Sequence, residues 1–312
     1  MLDYVQRIKF SDLDKRPYQQ QINILKTNVR TYISDHTGCS VTKIIQSGSW
    51  KKGTILKPRD GVELDIDLVF FINPGESTER DVRELNQGIR EFLYQVYPNK
   101  TEDDFWDSAK SSGVVFKGTG LSFDIVPVVP VQPEPYVWQP ESGTRGFYFT
   151  SIDGQLTFNS SLKTQNSNYA SIVRILKKWK NEKDLSISSF TIEIIQGWLD
   201  CTKGYDITIE QSVIRFFDLV SRYRFPQISF NTPGADTEIS TDSLGAIYVA
   251  DPTNKGNNTA EYIDTPMWEE IQSQAAIAYE TLVYAQEVNT KGDTTDLWKE
   301  ILGNTFNIEN QN

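Results

Sequence analysis

Apolar residues recur at every third or fourth position over residues 17–36, a spacing that predicts an amphipathic helix. Pro17 suits the first turn of this helix, and Gly38 can end it. A second stretch repeats the pattern, with Thr78 as its N-cap and Pro98 beyond its end. The two apolar faces contain Tyr18, Ile22, Leu25, Val29 and Ile33 in the first helix, and Val82, Leu85, Ile89, Phe92 and Val96 in the second.

Strands are predicted where β-branched and aromatic residues form short runs between turn residues. The predicted strands cover residues 41–46, 62–73, 113–117 and 121–131. Residues 47–61 are rich in Gly, Ser and Lys and are predicted to form a loop. Residues 132–146 contain three prolines and two glycines, which indicates an irregular crossing.

The pattern changes near residue 155, where strand signals give way to helical periodicity. In the last predicted helix, Thr265 can serve as the cap and Pro266 suits the first helical position. The sequence therefore predicts an α+β chain with a sheet-bearing lobe followed by a mainly helical lobe. The helices predicted for the second lobe cover residues 171–183, 189–199, 210–223 and 266–288.

Composition narrows the chemistry. The 312 residues, 38% of them hydrophobic, suffice for two modest domains. A formal net charge of −11 disfavours a long nucleic-acid ligand, because proteins that hold polynucleotides usually carry a basic excess. His36 is the single histidine, so a multi-histidine metal site is excluded and a Ser-His-Asp triad would have to use His36 itself. The two distant cysteines form no zinc pattern. We expect a cytoplasmic protein without a membrane partner, since no signal-peptide pattern or membrane-length apolar run occurs.

Two aspartates interrupt the strongest predicted strand. Side chains alternate along a strand, so Asp65 and Asp67 project from one face, roughly 6–7 Å apart. The apolar residues Leu64, Ile66 and Leu68 then face the core. Carboxylates on an apolar strand need a counter-charge, and hard divalent cations such as Mg²⁺ or Mn²⁺ are natural candidates. A lone D-x-D pattern is better explained by aspartates that face solvent or pair with arginines.

A glycine-containing segment before this strand makes the metal-site interpretation of the two aspartates the better one. Gly48 and Ser49 follow a predicted strand directly, where glycine lets backbone N–H groups approach a triphosphate and serine adds a donor. Gly53 and Thr54 extend the segment, but Thr54 and Ile55 stand where a Walker loop requires Lys and Ser or Thr. The Gly-Ser pair, the Gly-Thr pair and the two aspartates all lie within twenty residues. Together they form a far more specific pattern than any of them alone.

This combination resembles the signature of the polymerase-beta-like nucleotidyltransferase superfamily. In that superfamily a later strand supplies a third carboxylate, and Asp124 occupies such a position. Read alone, Asp124 could also be a solvated strand residue. The resemblance implies that Asp65, Asp67 and Asp124 are catalytic metal ligands for Mg²⁺ or Mn²⁺, and that Gly48 and Ser49 hold the donor triphosphate.

Residues 251–258 narrow the resemblance further. They are similar to the D-P-x-(N/D)-P-x-x-N segment of oligoadenylate synthetases and of the bacterial cGAS/DncV-like nucleotidyltransferases, with Lys255 in place of the second proline. Read alone, this stretch is an ordinary turn. The chain is similar to the cGAS/DncV-like family over nearly its full length. The family implies a polymerase-beta-like core with a mixed β-sheet and an N-terminal helix over 1–155, and an oligoadenylate-synthetase-like nucleotide-binding lobe over 156–312.

Four residues of the second lobe are candidate nucleotide contacts. Arg174 and Lys177 lie three positions apart on one predicted helix and could reach phosphates, or could be ordinary solvated cations. Ser189 and Phe190 fall where the family places a phosphate-binding serine and a base-stacking aromatic residue. Phe190 could equally be a core aromatic.

The implied function is the condensation of nucleoside triphosphates (ATP, GTP or pyrimidine triphosphates) into a cyclic di- or trinucleotide second messenger. Pyrophosphate is released, and the product acts in bacterial antiphage signalling. The resemblance also allows for a regulatory protein partner of the enzyme. Two alternatives remain: a linear, oligoadenylate-type or other template-independent nucleotidyltransferase, and a catalytically silent nucleotide-binding scaffold. The intact carboxylate set argues against the scaffold, because a binding module needs no three metal ligands. Base choice and linkage cannot be inferred from the spacing of these residues.

Overall fold

The chain divides into two compact units. The sheet unit spans Phe10–Leu156, and the helical unit comprises Met1–Lys9 and Thr157–Asn312. The sequence did not predict that the first nine residues belong with the helices. They do so because Tyr4 and Val5 are buried in the core of the helical unit. The computed structural model describes residues 1–59, 62–75, 79–107, 111–132, 134–140, 147–231 and 245–308.

Helices and strands are numbered here in chain order. The described helices are α1 (Leu2–Ile8), α2 (Asp12–Lys15), α3 (Gln19–His36), α4 (Gly48–Lys52), α5 (Glu79–Val96), α6 (Ile152–Gln165), α7 (Tyr169–Glu182), α8 (Ser189–Lys203), α9 (Ile209–Ser221), α10 (Thr265–Glu287) and α11 (Lys291–Leu302). The described strands are β1 (Ser40–Gln46), β2 (Leu64–Asn73), β3 (Phe105–Asp107), β4 (Ser112–Phe116), β5 (Leu121–Pro130), β6 (Val137–Pro140), β7 (Phe147–Thr150), β8 (Ala250–Asp251) and β9 (Asn254–Asn258).

Seven strands of the sheet unit form one mixed sheet. Its main path runs β1-β2-β5-β4-β3, while β6 pairs with β5 and β7 pairs with β6. Strands β2 and β5 are parallel, whereas the other pairs are antiparallel. The α+β class and the mixed sheet expected from the sequence are therefore confirmed.

The predicted apolar faces of α3 and β2 meet in one core. The helix α3 begins at Gln19, after a 3₁₀ turn over Arg16–Tyr18, slightly later than predicted. Thr78, the expected cap of α5, lies outside the described residues. The shared cluster includes Ile22, Leu25, Val29 and Ile33 of α3, Leu85 and Ile89 of α5, and Leu64, Ile66 and Leu68 of β2. Because these β2 side chains face the helices, the alternating aspartates face the opposite side of the sheet.

The segment 47–61 was predicted to be one continuous loop. In the structure, Gly48–Lys52 folds into the short helix α4. Trp50 of this helix is buried against the ring of Phe10, with ring centroids 5.8 Å apart. Gly53, at φ +73°, then ends the helix in the left-handed conformation. A helix this short contains one apolar anchor and no repeat, so hydrophobic periodicity could not reveal it.

Within the predicted irregular crossing over residues 132–146, Val137–Pro140 forms strand β6, while residue 133 and residues 141–146 lie outside the described residues. Strand β6 pairs with β7, and Trp138 lies beside Phe149 across the pair, with ring centroids 5.1 Å apart. Such cross-strand aromatic pairs stabilise hairpins. Pro135 precedes β6 and Pro140 ends it, positions at which proline removes little from the ladder of hydrogen bonds.

The helical unit has its own apolar core, in which Trp179 packs edge to face against Phe216 and Phe217. The four helices predicted for this part of the chain are present, and α6 and α11 were missed. The cap of α10 is Asp264, whose side chain accepts a backbone N–H at 2.9 Å, rather than Thr265 as predicted. Within the described ranges, no helix is both long and apolar enough to cross a membrane.

Candidate active site

Two neighbouring parallel strands bring the predicted carboxylates together. The register of β2 and β5 places Asp67 directly opposite Asp124, and Asp65 opposite Ser122. One carboxylate oxygen from each of the three aspartates lies within 4.8 Å of the other two. Asp65 is exposed, whereas Asp67 and Asp124 are partly buried. The structure therefore gathers all three predicted metal ligands at one spot of the sheet.

Two hydrogen-bond donors converge on one oxygen of Asp124. The indole Nε1–H of Trp106 donates to Oδ1 at 3.0 Å, and the hydroxyl of Ser111 donates to the same atom at 3.2 Å. Burial raises the pKa of the Asp124 carboxyl above its ordinary value, and the two hydrogen bonds oppose that shift. Neither donor was predicted from the sequence, because both come from segments with no recognisable motif.

Gly113 makes the tryptophan contact sterically feasible. The strand register aligns Trp106 with Gly113 of β4, and Gly113 with Asp124 of β5, so three residues lie in one row across the sheet. A Cβ atom at Gly113 would stand 1.9 Å from the indole ring. Only glycine therefore allows the ring to cross β4 and reach the carboxylate.

The predicted triphosphate segment also lies beside the aspartates. Gly48 begins α4 at φ +55°, and a Cβ atom there would stand 1.6 Å from Oδ2 of Asp67. The backbone N–H of Ser47 donates to the carbonyl of Asp67 at 2.9 Å, which ties the segment to β2. Ser49 lies in the first turn of α4 and is partly exposed. First-turn N–H groups have no carbonyl partner within their own helix, so they are suited to an anionic ligand.

The arrangement suits a divalent cation. Three carboxylates this close repel one another unless a positive charge lies between them. The donor set consists of oxygen atoms alone, which hard cations such as Mg²⁺ and Mn²⁺ prefer and which zinc sites seldom use exclusively. The residues present therefore fit the metal-binding role.

Arg174 and Lys177 lie on α7 of the helical unit and are only 6% and 8% exposed. Burial lowers the pKa of the Arg174 guanidinium. They are therefore not ordinary solvated cations, which was one of the two explanations open at the sequence level. Buried cations require compensating groups or an anionic ligand, since desolvation of an unpaired charge is costly.

Ser189 and Phe190 begin α8. The actual N-cap is Ser188, whose hydroxyl accepts the backbone N–H of Thr191 at 2.9 Å. Phe190 is partly buried and packs against the core of the helical unit. The start of α8 is also tied to the segment before α10, because Thr191 donates to the carbonyl of Thr259 at 3.1 Å.

The segment 251–258 forms the β8–β9 hairpin, and its polar residues hold that hairpin together. Oδ1 of Asp251 accepts both the backbone N–H and the hydroxyl of Thr253 at 2.8 Å. Asn258 bridges three backbone groups: it accepts from Val249 and Ala260 at 2.9 and 3.0 Å, and donates to a carbonyl at 2.8 Å. In this chain, the polar residues of the 251–258 motif therefore stabilise the hairpin and the backbone around it.

An α+β fold that holds three carboxylates on adjacent strands, next to a glycine that begins a short helix, defines a metal-dependent nucleotidyltransferase. The chain belongs to the family described as the Second Messenger Oligonucleotide or Dinucleotide Synthetase domain, whose family model matches residues 1–182. Membership confirms the predicted class of enzyme and the polymerase-beta-like fold, and identifies the chain as a synthase rather than a silent scaffold.

Full-length relatives agree with this assignment. The chain is 30% identical to a cyclic AMP-AMP-AMP synthase of Escherichia coli strain MS 115-1, over 93% of this chain and 91% of that protein. It is 28% identical to the CBASS oligonucleotide cyclase CdnC of E. coli strain KTE188, over 95% and 93% of the two chains. The predicted function, cyclic oligonucleotide synthesis in bacterial antiphage defence, is confirmed at the level of the family.

Solved structures give the same result. The structure of E. coli MS115-1 CdnC with ATP superposes with a TM-score of 0.79 at 26% identity, covering 98% of this chain and 97% of that one. The complex of the same E. coli protein with HORMA-deltaN superposes with a TM-score of 0.74 at 25% identity, covering 98% and 96% of the two chains. The chain therefore shares the fold of the E. coli protein over nearly its whole length.

Proposed function

We propose that this chain is a Mg²⁺-dependent synthase that condenses ATP into a cyclic oligoadenylate of two or three nucleotides. The observation that supports it most strongly is the meeting of Asp65, Asp67 and Asp124 within 4.8 Å on adjacent strands. The choice of ATP draws on two relatives, one named a cyclic AMP-AMP-AMP synthase and one solved with ATP.

The proposed roles follow the positions of the side chains. Asp65 and Asp67 would hold the cations that bind the donor triphosphate, and Asp124 would complete the site at which the attacking ribose hydroxyl is oriented. Gly48 and Ser49 would bind the triphosphate through the first turn of α4, a position suited to phosphate oxygens. A bound divalent cation would lower the pKa of the attacking hydroxyl and neutralise charge on the leaving pyrophosphate.

The helical unit would supply the remaining nucleotide contacts. Arg174 and Lys177 are buried cations of α7, and phosphate is a ligand that guanidinium and ammonium groups bind. Ser189 would donate to a phosphate, and Phe190 would pack against a base. In this proposal the sheet unit is the catalytic core, and the helical unit is the nucleotide-binding lobe.

Product analysis tests the proposal. The full chain is incubated with Mg²⁺ and each nucleoside triphosphate singly and in mixtures, followed by phosphatase and mass spectrometry. ATP alone should give a phosphatase-resistant cyclic product. Linear products sensitive to phosphatase would instead identify an oligoadenylate-type transferase, and a requirement for a second base would overturn the choice of ATP. No product under any mixture, from protein that binds metal, would contradict an autonomous synthase.

We further propose that a HORMA-class protein regulates this enzyme, as the solved complex of the E. coli relative suggests for that relative. The test compares the rate of product formation by the full chain alone and with a HORMA protein encoded in the same genome. Formation of a stable complex with a changed rate supports this regulation. Equal rates and separate elution on size-exclusion chromatography would contradict it.

A further inference from the structure

A tryptophan outside every motif of this family signature lies in hydrogen-bond contact with the proposed metal site. Trp106 begins its approach on β3, two strands away from Asp124, and crosses β4 at Gly113 to reach the carboxylate. Its indole Nε1–H donates to Oδ1 at 3.0 Å, a normal length for such a bond. This contact across an intervening strand requires Trp106, Gly113 and Asp124 to be aligned in one register. Packing of a large side chain at random would not require such an alignment.

The two donors on Asp124 act on the same atom. Trp106 and Ser111 both donate to Oδ1, and a carboxylate oxygen has lone-pair sites for about two such bonds. With both sites on Oδ1 taken in this way, Oδ2 is the oxygen that Asp124 would offer to a cation. Carboxylates that bind metals are characteristically held by such outer hydrogen bonds, which fix their orientation before the cation arrives.

Gly113 supports this assignment independently. Glycine in a strand interior weakens the strand, because it loses more conformational freedom on folding and buries no side chain. Residues on both sides of it, Ser112 and Val114, are fully buried, so the position lies within the body of the sheet. The space left by the absent Cβ is occupied by the indole ring, at 1.9 Å from where that atom would be.

We propose that Trp106, with Ser111 as the second donor, is a positioning residue for the metal site, holding Asp124 through Oδ1 so that Oδ2 faces the cation. This inference rests on the proposed role of Asp124 as a metal ligand. A phenylalanine at position 106 would keep most of the ring contacts but has no N–H. The donor, rather than the bulk of the side chain, is therefore the part under test.

The experiment measures Mn²⁺ binding to the full chain by electron paramagnetic resonance, with and without a nonhydrolysable ATP analogue. Trp106→Phe should raise the dissociation constant for Mn²⁺ about tenfold, the usual effect of losing an outer hydrogen bond to a metal ligand. Trp138→Phe is the matched control, since Trp138 lies in the same sheet but contacts Phe149 and is 40% exposed. The melting temperature in EDTA should fall by only a few degrees in Trp106→Phe, which loses one hydrogen bond to a partly buried carboxylate, and should stay close to wild type in Trp138→Phe.

Steady-state kinetics separate positioning from general structure. Trp106→Phe should raise the apparent KM for Mg²⁺ about tenfold, with a much smaller change in kcat at saturating Mg²⁺. A purely structural role would lower the melting temperature and kcat and leave that KM unchanged. Ser111→Ala removes the second donor to the same oxygen and decides the question if the tryptophan variant does not fold.

The outcomes are distinct. Wild-type affinity for Mn²⁺ in a folded Trp106→Phe variant, or the same loss in the Trp138→Phe control, overturns the inference and leaves the proposed function intact. If Trp106→Phe does not fold, wild-type affinity in Ser111→Ala overturns it. A wild-type chain that neither binds Mn²⁺ nor forms product contradicts the proposed function itself.

Discussion

Asp67 and Asp124 lie directly opposite each other on the parallel strands β2 and β5, and their carboxylates approach that of Asp65 within 4.8 Å. The geometry is set by strand register rather than by a loop. A slip of one residue between the strands would turn Asp124 to the opposite face, because side chains alternate along a strand. The apolar neighbours Phe123 and Ile125 prevent that slip, since both are fully buried in the core.

The first prediction concerns Asp67→Asn, which keeps the shape of the side chain and removes its charge. Loss of one ligand to the cation should reduce the rate of product formation by about 10³-fold or more, corresponding to several kcal/mol of transition-state stabilisation. The fold should be retained, because Asp67 is only partly buried. Product formation and Mn²⁺ binding measure the first effect, and circular dichroism measures the second.

A matched control is Asp153→Asn in the same unit. Asp153 is an exposed acid that pairs with Lys43 at 2.7 Å. Exposed ion pairs of this kind contribute about 0–1 kcal/mol, so this variant should retain both activity and stability. Equal activity of the Asp67 variant and wild type would contradict the assignment of the metal site.

The second prediction concerns Gly48→Ala. The new Cβ would stand 1.6 Å from Oδ2 of Asp67, so the carboxylate would have to move. A displacement on the order of 1 Å in a catalytic group can lower the rate about 100-fold. The positive φ of Gly48 adds strain of about 1 kcal/mol. Steady-state kinetics and thermal unfolding measure the two effects.

Gly120→Ala separates strain from displacement. Gly120 also has a positive φ, +66°, but nothing lies within 4 Å of the Cβ that alanine would add. This variant should show a similar loss of stability and nearly normal activity. If both variants lost activity equally, the close approach between Gly48 and Asp67 would not be the cause.

Much of this site could be predicted from the sequence because its key residues lie on strands with strong local signals. Asp65 and Asp67 alternate with Leu64, Ile66 and Leu68, so one face of the strand was evident without the structure. Asp124 had the same flanking pattern. Parallel pairing of the two strands brings the aspartates together. Periodicity does not contain this long-range relation, and the family resemblance implied only that a later strand supplies the third carboxylate.

Other parts of the site could not be predicted, for identifiable physical reasons. Trp106 belongs to a strand of three residues, too short for an alternation pattern, and its partner is eighteen positions away. Gly113 read as an ordinary strand residue, because the reason for the glycine is a side chain on the neighbouring strand. Arg174 and Lys177 showed a shared face but gave no indication of burial, which depends on the packing of other helices.

The third prediction concerns Asp124→Asn in protein without metal. Burial raises the pKa of Asp124 above its ordinary value of 3.8, so the folded state binds this proton more tightly than the unfolded state. The contribution to stability is therefore present at low pH and is lost as pH rises through the folded-state pKa. Asparagine stays neutral and can still accept from Trp106 and Ser111. In EDTA at pH 7 the variant should therefore be more stable than wild type, because asparagine avoids the cost of burying an ionised carboxylate.

Bound metal should make the wild type more stable than Asp124→Asn, the reverse of the order expected in EDTA. A cation that binds the folded wild type stabilises it by mass action, whereas the variant lacks one ligand and should gain less. Urea unfolding in EDTA at pH 5 and pH 7, and in saturating Mg²⁺ at pH 7, measures all three conditions. A wild type that is more stable than Asp124→Asn in EDTA at pH 7 would show that the carboxylate is compensated without a cation.

The fourth prediction concerns Asn258, whose side chain makes three buried hydrogen bonds to the backbone around the β8–β9 hairpin. In Asn258→Ala, three buried backbone groups lose their partners, and each such loss costs about 1–3 kcal/mol. Partial relaxation reduces the sum, so the free energy of unfolding should fall by about 3–4 kcal/mol. Asn304→Ala, at an exposed position in the same unit, should change it by no more than about 0.5 kcal/mol. Urea denaturation measures both. If Asn258→Ala kept wild-type stability but lost nucleotide binding, the asparagine would be a ligand contact, and the structural account of this motif would be wrong.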